Sequence, residues 1–306
     1  MKILVTGGAG FIGSHVVEVY RNAGHDVVVV DDLSSGYRKN VPAGVKLYEV
    51  DIRQTHLAAV FEKEQPDIVN HQAARANVRE SFEKPLLYAD VNVLGSVNLL
   101  ECCRRHRIKK VIYASTGGAV YGEPSELPVS EEHAINPLDP YGASKHHVEH
   151  YLRLYQSNFA IPFTVLRYPN VYGPRQDPNG EAGVVAIFAG QMLNGGEPVI
   201  NGSGEQERDF VHVSDVARAS VLALDKGNNE ILNIGSGVGT SVTTIFSILA
   251  ELSRFLDPPV HGPAKQGEVQ RIFLNSNRAW QSLGWKPEVP LRKGLASTLE
   301  FLQTAA

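Results

Sequence analysis

The chain has 306 residues, of which 43% are hydrophobic and 20% charged, and it contains 28 glycines and 17 prolines. This composition predicts a folded globular protein with many tight turns, and it excludes disordered, fibrous and coiled-coil chains. The net charge is -4 and only residues 104–110 concentrate lysine and arginine, so nothing favours a nucleic-acid partner.

Cysteine content and hydropathy predict a cytoplasmic protein. The two cysteines, Cys102 and Cys103, are neighbours that ordinary disulfide geometry cannot join, which favours a reducing compartment. The first apolar run ends at Thr6 and is too short for a signal peptide, and we expect no later span of about 18 apolar residues. We therefore expect neither export nor a membrane partner.

Short apolar runs alternate with helical patterns as far as Tyr168, which is typical of βαβ units that build a parallel sheet. Because the helical segments are long enough for right-handed crossovers, we predict an α/β fold with a doubly wound parallel Rossmann sheet. The expected strands are Lys2 to Thr6, Asp26 to Asp31, Lys46 to Val50, Asp67 to Gln72, Lys110 to Ser115 and Pro162 to Tyr168. The expected helices are Ile12 to Ala23, Gln54 to Lys63, Leu86 to His106 and Tyr141 to Phe159.

After Tyr168 the pattern loosens into loops rich in glycine and proline, with one isolated helix at about 183–193. Regular patterns return at 209–224 and 231–234, which suggests that the chain re-enters the first lobe there. We predict a Rossmann domain of residues 1–168 plus about 209–236. A smaller, interleaved α/β substrate-binding lobe then comprises about 169–208 plus 237–306.

The expected helix from Leu86 to His106 is apolar around more of its circumference than one core-facing stripe requires. Either a loop of the same chain or a second copy must cover the additional side. The next expected helix carries similar apolar residues, namely Val148, Tyr151, Leu152 and Tyr155. This similarity favours a homodimer formed through helices 86–106 and 141–159.

A glycine-rich turn, Thr-Gly-Gly-Ala-Gly-Phe-Ile-Gly at residues 6–13, follows the first strand directly. Its glycines stand where a strand must turn sharply into a helix beneath a pyrophosphate, so a dinucleotide site is expected. Asp31 ends the second strand and can accept both ribose hydroxyls, whereas a 2′-phosphate would be repelled by Asp31 and Asp32. NAD is therefore favoured over NADP. The expected contacts from the turn are Gly7, Gly10, Phe11, Ile12 and Gly13.

Two further segments extend this cofactor site. Asp51 and Ile52 follow the third strand and would reach the adenine edge, although Asp51 could instead cap the helix expected from Gln54. Gln72, Ala73 and Ala74 end the fourth strand with mostly small residues, which suits a backbone that lies along a cofactor.

Tyr141 and Lys145 are four residues apart in Tyr-Gly-Ala-Ser-Lys, so their side chains share one helical face. A free tyrosine has a pKa near 10. A neighbouring ammonium and the positive nicotinamide ring favour its phenolate. The pair is expected to be catalytic, with Tyr141 as the base and Lys145 also holding the nicotinamide ribose.

These features closely resemble the extended short-chain dehydrogenase/reductases, and within them the nucleotide-sugar epimerases of the UDP-glucose 4-epimerase type. The resemblance extends over essentially the whole chain. It implies that Tyr141 is both base and acid, that Asn92 and Tyr168 position the cofactor, and that Asn170 and Arg208 contact the sugar or its diphosphate. The segments that carry it are 6–13, 120–122, Tyr141 with Lys145, 166–174 and 208–213.

The chain departs from the family pattern at three places. Family members hold the reacting hydroxyl with a serine or threonine at the position of Gly117, and we expect Thr116 to replace it, with Ser115 or water as alternatives. Lys265 and Glu268 replace an Arg-x-Gly-Asp motif for the diphosphate and ribose, which gives up the bidentate arginine. Ile272 stands at the gatekeeper position beside C2 of the sugar, so acceptance of N-acetyl sugars stays open.

The implied activity is that of a NAD-dependent isomerase, which inverts C4 of a UDP-hexose through a transient 4-keto sugar. A 4,6-dehydratase is disfavoured because Gly118-Ala119 replaces its Asp-Glu pair. A decarboxylase or uronate epimerase, with Arg175 or Arg75 holding a carboxylate, and a non-catalytic NAD-sensing regulator are the alternatives. No metal site is expected, and the histidines near Lys145 are interpreted as a solvated helix face.

Overall fold

A parallel sheet of seven strands forms the centre of the protein. The computed structural model describes residues 1–178, 183–264 and 269–305. The strands are β1 (Lys2–Thr6), β2 (Asp26–Asp31), β3 (Lys46–Glu49), β4 (Ile68–His71), β5 (Lys110–Thr116), β6 (Phe163–Tyr168) and β10 (Glu230–Asn233). Their order in the sheet is β10-β6-β5-β4-β1-β2-β3, so the chain winds outward from β1 in both directions, as in a doubly wound fold.

Helices cover both faces of this sheet because its inner strands are buried on both sides. One core cluster joins the sheet to two helices that contact each other, and a second cluster joins the opposite face to three helices. The first pair is α1 (Phe11–Asn22) and α8 (Val213–Leu222), and the second group is α2 (His56–Glu64), α5 (Gly95–Arg105) and α6 (Pro140–Phe159).

The remaining elements form a smaller α/β part. Its elements are β7 (Asn170–Tyr172), α7 (Val184–Leu193), β8 (Val199–Asn201), β9 (Glu207–His212), β11 (Gly239–Ser241), α9 (Val242–Ser253), β12 (Val260–Gly262), β13 (Arg271–Ile272) and α11 (Leu291–Ala305). Strand β9 lies at the centre of a four-stranded sheet with β7, β11 and β13 as partners, and β8 pairs with β12. A third apolar cluster joins α7, α9 and α11. Helix α10 (Asn277–Leu283) instead adds Ala279 and Leu283 to the first core cluster of the central sheet.

The structure confirms the predicted fold class, and each of the six expected strands ends within one residue of its expected bound. The strand-like run at 231–234 is β10, which pairs with β6 in the central sheet. The division of the chain into two interleaved lobes at the stated residues stays a prediction.

The prediction of one α-helix from Leu86 to His106 is wrong. Residues 85–105 form α4 (Pro85–Tyr88), a π-helical segment (Ala89–Leu94) and then α5, and the short helix α3 (Val78–Glu83) before them was not predicted. The wider turn of a π-helix changes which side chains face inward, and such segments are frequent at functional sites. Here it directs Asn92 into the protein interior.

The expectation that no apolar span of about 18 residues occurs is also corrected. Within the described residues, the run Pro85–Arg105 is 21 residues long and apolar enough to cross a membrane by length and composition. Its Leu99, Leu100 and Cys103 side chains are buried against the central sheet, which is the place of a core helix. The run is apolar on more than one side because Leu86 and Leu94, 84% and 61% exposed, add to this buried face.

Candidate active site

A cavity of about 1780 Å³ lies at the carboxyl ends of the central strands and extends to β9 of the smaller part. This is the edge at which open parallel sheets bind ligands. The cavity brings together most of the residues that the sequence predicted. Those that line it are Gly7, Gly10, Phe11, Ile12, Gly13, Asp31, Asp32, Asp51, Ile52, Gln72, Ala73, Ala74, Ser115, Thr116, Tyr141, Lys145, Tyr168, Asn170 and Arg208.

The turn after β1 leaves no room for side chains at two of its glycines. Gly7 has a φ of +69°, and a Cβ there would lie 2.6 Å from the backbone nitrogen of Ala73. A Cβ at Gly13 would lie 2.0 Å from the Gly7 carbonyl oxygen. The backbone of the turn therefore packs directly on the end of β4 and on the first turn of α1, which keeps the N-terminus of α1 open for a phosphate.

Asp31 is a buried carboxylate at the end of β2 that faces the cavity. Burial raises its pKa, and the backbone N–H groups of Ala9 and Leu33 oppose this by donating to its two oxygens at 2.9 Å each. Each oxygen keeps a further lone pair. The Asp31 carboxylate is therefore held in a fixed orientation and can still accept the two hydroxyls of a ribose.

Asp51 lines the cavity but does not cap a helix. Helix α2 begins at His56, two residues later than expected, and its N-cap residue Thr55 makes no capping hydrogen bond from its side chain. Asp51 instead accepts two hydrogen bonds from the Arg53 guanidinium, whose Nε and Nη2 lie 2.9 and 2.5 Å from Oδ2. Hydrogen bonds from Arg53 lower the pKa of Asp51, so the carboxylate is charged. The alternative that Asp51 caps the helix is wrong.

Asn92 does not line the cavity, in contrast to the role expected from the resemblance. Its side-chain oxygen accepts from the backbone N–H of Arg75 at 2.8 Å, and its amide donates to the Arg75 carbonyl at 3.0 Å. The amide also donates to the Ser144 hydroxyl at 2.9 Å. Asn92 thus joins the cavity wall at residue 75 to α6 from behind.

Helix α6 presents Tyr141 and Lys145 to the cavity from its first two turns. Asp139 caps the helix by accepting from the Gly142 N–H at 2.7 Å, and Pro140 occupies the first turn, where its missing N–H is not needed. The Lys145 ammonium lies 4.4 Å from the centre of the Tyr113 ring on β5. Burial lowers the pKa of Lys145 to about 7, and the nearby Glu149 carboxylate opposes this shift.

Ser115 and Thr116 at the end of β5 both line the cavity, but the Ser115 hydroxyl is engaged elsewhere. It donates to the buried Glu149 carboxylate at 2.5 Å. Gly117 does not line the cavity, and a Cβ there would lie 2.4 Å from Cδ1 of Leu274. The arrangement favours Thr116 over Ser115 as the residue that holds a reacting hydroxyl.

The predicted substrate residues fall into three groups. Asn170 and Arg208 line the cavity, and the Arg208 guanidinium donates to the Glu207 carbonyl at 2.9 Å from strand β9. Ile272 is 2% exposed, belongs to a small core cluster with Leu274 and does not line the cavity. Lys265 and Glu268 lie outside the described residues.

Sequence reasoning predicted a loop after Tyr168 but not its contacts, which join the cavity-lining residues 175–177 to α1 and to Tyr37. Arg175 donates to the Glu18 carboxylate at 2.7 Å and to the Ser14 hydroxyl at 3.2 Å. The Tyr37 hydroxyl donates to Asp177 at 2.5 Å. These contacts join residues that are about 140 to 160 positions apart, so no local pattern could have indicated them.

The cavity therefore has two ends with different chemistry. A glycine turn and a fixed carboxylate suit a dinucleotide at one end, and the Arg208 cation at the other suits a phosphate. Tyr141, the buried Lys145 and Thr116 line the same cavity. Tyrosine and lysine in this position can move a proton to or from a hydroxyl beside a dinucleotide.

Comparison with known proteins agrees with this geometry. The NAD dependent epimerase/dehydratase family matches residues 3–235. A protein of Mycolicibacterium smegmatis named UDP-glucose 4-epimerase is 40% identical over 309 residues, which cover 99% of each chain. The crystal structure of UDP-glucose 4-epimerase with UDP-glucose from Thermotoga maritima is 45% identical with a TM-score of 0.98, covering 100% of this chain and 99% of that one. The Thermus thermophilus UDP-glucose 4-epimerase complex with NAD is 42% identical with a TM-score of 0.95, covering 100% of both chains.

Proposed function

The chain belongs to the NAD dependent epimerase/dehydratase family, and we propose that its Tyr141 inverts C4 of a UDP-hexose by moving the proton of the 4-hydroxyl. The protein is a NAD-dependent isomerase that acts on UDP-hexoses. The observation that supports the assignment to Tyr141 is that Tyr141 and Lys145 line the same cavity as the glycine turn and Arg208.

The described residues fit NAD. Gly7 and Gly13 let the turn after β1 pack tightly against the start of α1, whose N-terminus would bind the pyrophosphate, and Asp31 keeps lone pairs that would accept the adenosine ribose hydroxyls and disfavour a 2′-phosphate. Lys145 would hold the nicotinamide ribose. Bound NAD would supply the hydride acceptor for oxidation at C4 and the hydride donor for the reduction that follows.

Tyr141 takes the proton of the 4-hydroxyl as C4 becomes a ketone, and gives it back when C4 is reduced. A pKa near 10 would leave too little phenolate at neutral pH, and lowering it by about 3 units requires roughly 4 kcal/mol. The Lys145 ammonium, one helical turn away, contributes to this shift. Its burial strengthens the effect because a buried charge is poorly screened.

Thr116 and Arg208 hold the substrate at two different places. The Thr116 hydroxyl donates a hydrogen bond to the reacting oxygen. Arg208 binds the diphosphate through charge-assisted hydrogen bonds. Because the sugar is held through its diphosphate, the planar 4-keto sugar can turn over between the two transfers. Inversion at C4 follows, and the sugar stays bound throughout.

A uronate substrate would require a free cation near C6. Of the two candidate cations, Arg175 is paired with Glu18, whereas Arg75 lines the cavity. We propose UDP-hexoses with an uncharged sugar as the substrates, and a uronate held by Arg75 is the alternative. The N-acetyl forms are a separate question because Ile272 does not line the cavity.

The test is to incubate the purified protein, without added cofactor, with UDP-galactose and to follow C4 inversion by NMR. We expect UDP-glucose to form, because NAD that is regenerated in each turnover need not leave. Parallel samples contain UDP-N-acetylgalactosamine and UDP-galacturonate, and we expect no conversion of the uronate. If UDP-galactose is not converted even after NAD is added, the assignment is wrong.

We also propose that two copies associate through the helical face at 86–106 and 141–159, and that the protein works in the cytoplasm. Leu86, Leu94, Leu154 and Phe159 are 84%, 61%, 46% and 48% exposed on these segments, and apolar surface of this kind is typical of an interface. The buried, free Cys102 and Cys103 support a reducing compartment.

A further inference from the structure

Helix α6 carries a third ionisable side chain below Tyr141 and Lys145. Tyr141, Lys145 and Glu149 are each four residues apart, so their side chains lie along one stripe of the helix. Glu149 is 1% exposed and does not line the large cavity. Burying a carboxylate costs free energy unless charged or polar partners compensate the charge. The partners of Glu149 therefore indicate its role.

The Glu149 carboxylate is bound from two neighbouring strands. Arg167 on β6 donates from Nε to Oε1 at 3.0 Å and from Nη2 to Oε2 at 2.6 Å, and Ser115 on β5 donates to Oε1 at 2.5 Å. Ser115 and Arg167 lie opposite each other in the sheet. The residues directly after them, Thr116 and Tyr168, both line the cavity. One carboxylate therefore fixes α6 to the ends of two strands that carry site residues.

The network continues away from the cavity and rigidifies this support. Arg167 donates from Nη1 to the Tyr121 hydroxyl at 2.8 Å, and that hydroxyl donates to Asn233 on β10 at 2.7 Å. On α6 itself, the His146 ring nitrogen Nδ1 lies 3.3 Å from Oε2 of Glu149. Burial alone would raise the pKa of Glu149, but the hydrogen bonds from His146 and Arg167 outweigh it and lower the pKa to about 2.

Tyr141 aside, Glu149 is the anionic side chain next to Lys145 in the part of the chain that the structure describes. Burial lowers the pKa of His71 on β4 to about 3, and burial raises the pKa of Tyr113 on β5 well above its ordinary value. Both side chains are thus neutral near pH 7. Arg167 on β6 is cationic and paired with Glu149. The field that favours the Lys145 ammonium therefore comes from Glu149.

We propose that Glu149 is a positioning residue for C4 inversion, which keeps the Lys145 side chain protonated and fixed below Tyr141 while it ties α6 to the ends of β5 and β6. This inference rests on the proposed function, in which Tyr141 moves the proton. Lys145 stabilises the Tyr141 phenolate only as an ammonium. Without the Glu149 charge, Lys145 would lose its proton at lower pH and the phenolate would lose its support.

The test compares Glu149→Gln with Glu64→Gln in the NAD-loaded protein. Glu64 is a matched control because its side chain is also 1% exposed and ion-paired, with Lys2 at 3.1 Å and Lys46 at 2.9 Å. It lies on α2 and does not line the cavity. The first readout is the NMR titration of ¹³Cε-labelled lysine, with the Lys145 signal assigned from Lys145→Arg. In Glu149→Gln we expect its midpoint to fall by about 1 pH unit or more. In Glu64→Gln we expect no change.

The second readout is the pH profile of kcat and KM for UDP-galactose. In Glu149→Gln we expect the basic limb of the kcat profile to move to lower pH, kcat at pH 7.5 to fall about tenfold, and KM to stay unchanged. A purely structural residue would reduce the stability of the protein and leave both the limb and the lysine midpoint in place, and that result would overturn the proposal.

Two further measurements keep the proposal open to refutation. If Glu149→Gln does not fold, Glu149→Asp takes its place, because it retains the negative charge. We expect the Lys145 midpoint in Glu149→Asp to stay near that of the wild type. A midpoint at least 1 pH unit lower would contradict the proposal. Wild-type Lys145 that is already neutral at pH 6 would also overturn the proposal. The NMR midpoint does not depend on turnover. A wild type that fails to convert UDP-galactose therefore refutes the proposed function, whereas an unmoved midpoint in an active protein refutes this inference alone.

Discussion

A Cβ at Gly117 would lie 2.4 Å from Cδ1 of Leu274, so the Leu274 side chain leaves no room for a side chain at position 117. The Leu274 side chain is fully buried in a small apolar cluster, and its backbone N–H donates to the Asp209 carboxylate at 3.1 Å. The space that a hydroxyl-bearing side chain would need at position 117 is therefore already filled. We propose that Thr116 offers the hydroxyl instead.

Gly117→Ser should accordingly destabilise the protein rather than improve it. We expect the free energy of unfolding in urea to fall by about 1 to 3 kcal/mol, because extra atoms in a packed region force a displacement. Adding Leu274→Ala should recover part of this loss, so that the double variant loses less stability than the sum of the two single variants. Losses that simply add would show that the two residues do not compete for this space.

Tyr141→Phe should abolish most of the activity and leave the fold intact. We expect kcat for UDP-galactose to fall by about 10² to 10⁴, since the hydroxyl that moves the proton is lost. Tyr151→Phe is the matched control, because Tyr151 lies on the same helix and does not line the cavity. A Tyr141→Phe protein that retains wild-type kcat would remove Tyr141 from the mechanism.

Sequence reasoning reached the central sheet and the dinucleotide end of the cavity because both depend on local patterns. Short apolar runs identify strands, and parallel topology brings residues at or directly after the strand ends to one edge of the sheet, as for Gly7, Asp31 and Thr116. Contacts between distant segments leave no such pattern. The tie between Arg175 and Glu18, and the packing of Leu274 on Gly117, became visible only in three dimensions.

The position of Asn92 shows a second limit. Helical periodicity assumes 3.6 residues per turn, and the π-helical segment Ala89–Leu94 departs from it. A residue assigned to the cofactor by resemblance therefore lies behind the wall, bound to the backbone of Arg75 and to Ser144. A single sequence does not indicate such a segment, because the same residues also suit an ordinary helix.

The stability of the protein should depend on pH through Lys145. Its pKa of about 7 in the folded protein is below the value of about 10.4 expected in the unfolded chain. Between these two values the unfolded chain binds a proton that the folded protein does not, so the free energy of unfolding rises with pH, by at most about 1.4 kcal/mol per unit. Lys145→Met removes this contribution.

Urea unfolding at pH 7 and pH 9 checks this sign. We expect wild type to gain stability relative to Lys145→Met at the higher pH. A difference between the two proteins that stays constant over this range would contradict a buried lysine with a lowered pKa.

The association of two copies should depend on the exposed leucines of the 86–106 segment. We expect Leu86→Glu combined with Leu94→Glu to convert a dimer into a monomer in sedimentation velocity, because two charges would enter an apolar interface. Leu256→Glu is the control, since Leu256 is 93% exposed and lies beyond α9 in the smaller part. If the double variant sediments like the wild type, this face is not the interface.

The central claim is that C4 is oxidised and then reduced within one active site, and UDP-galactose labelled with deuterium at C4 tests it most directly. The purified protein is incubated with this substrate in ordinary water, and the label in the UDP-glucose product is measured by NMR and mass spectrometry. We predict that deuterium is retained at C4, because the hydride that leaves is the one that returns. Loss of the label to solvent would contradict a transient 4-keto sugar and would require proton abstraction from carbon instead.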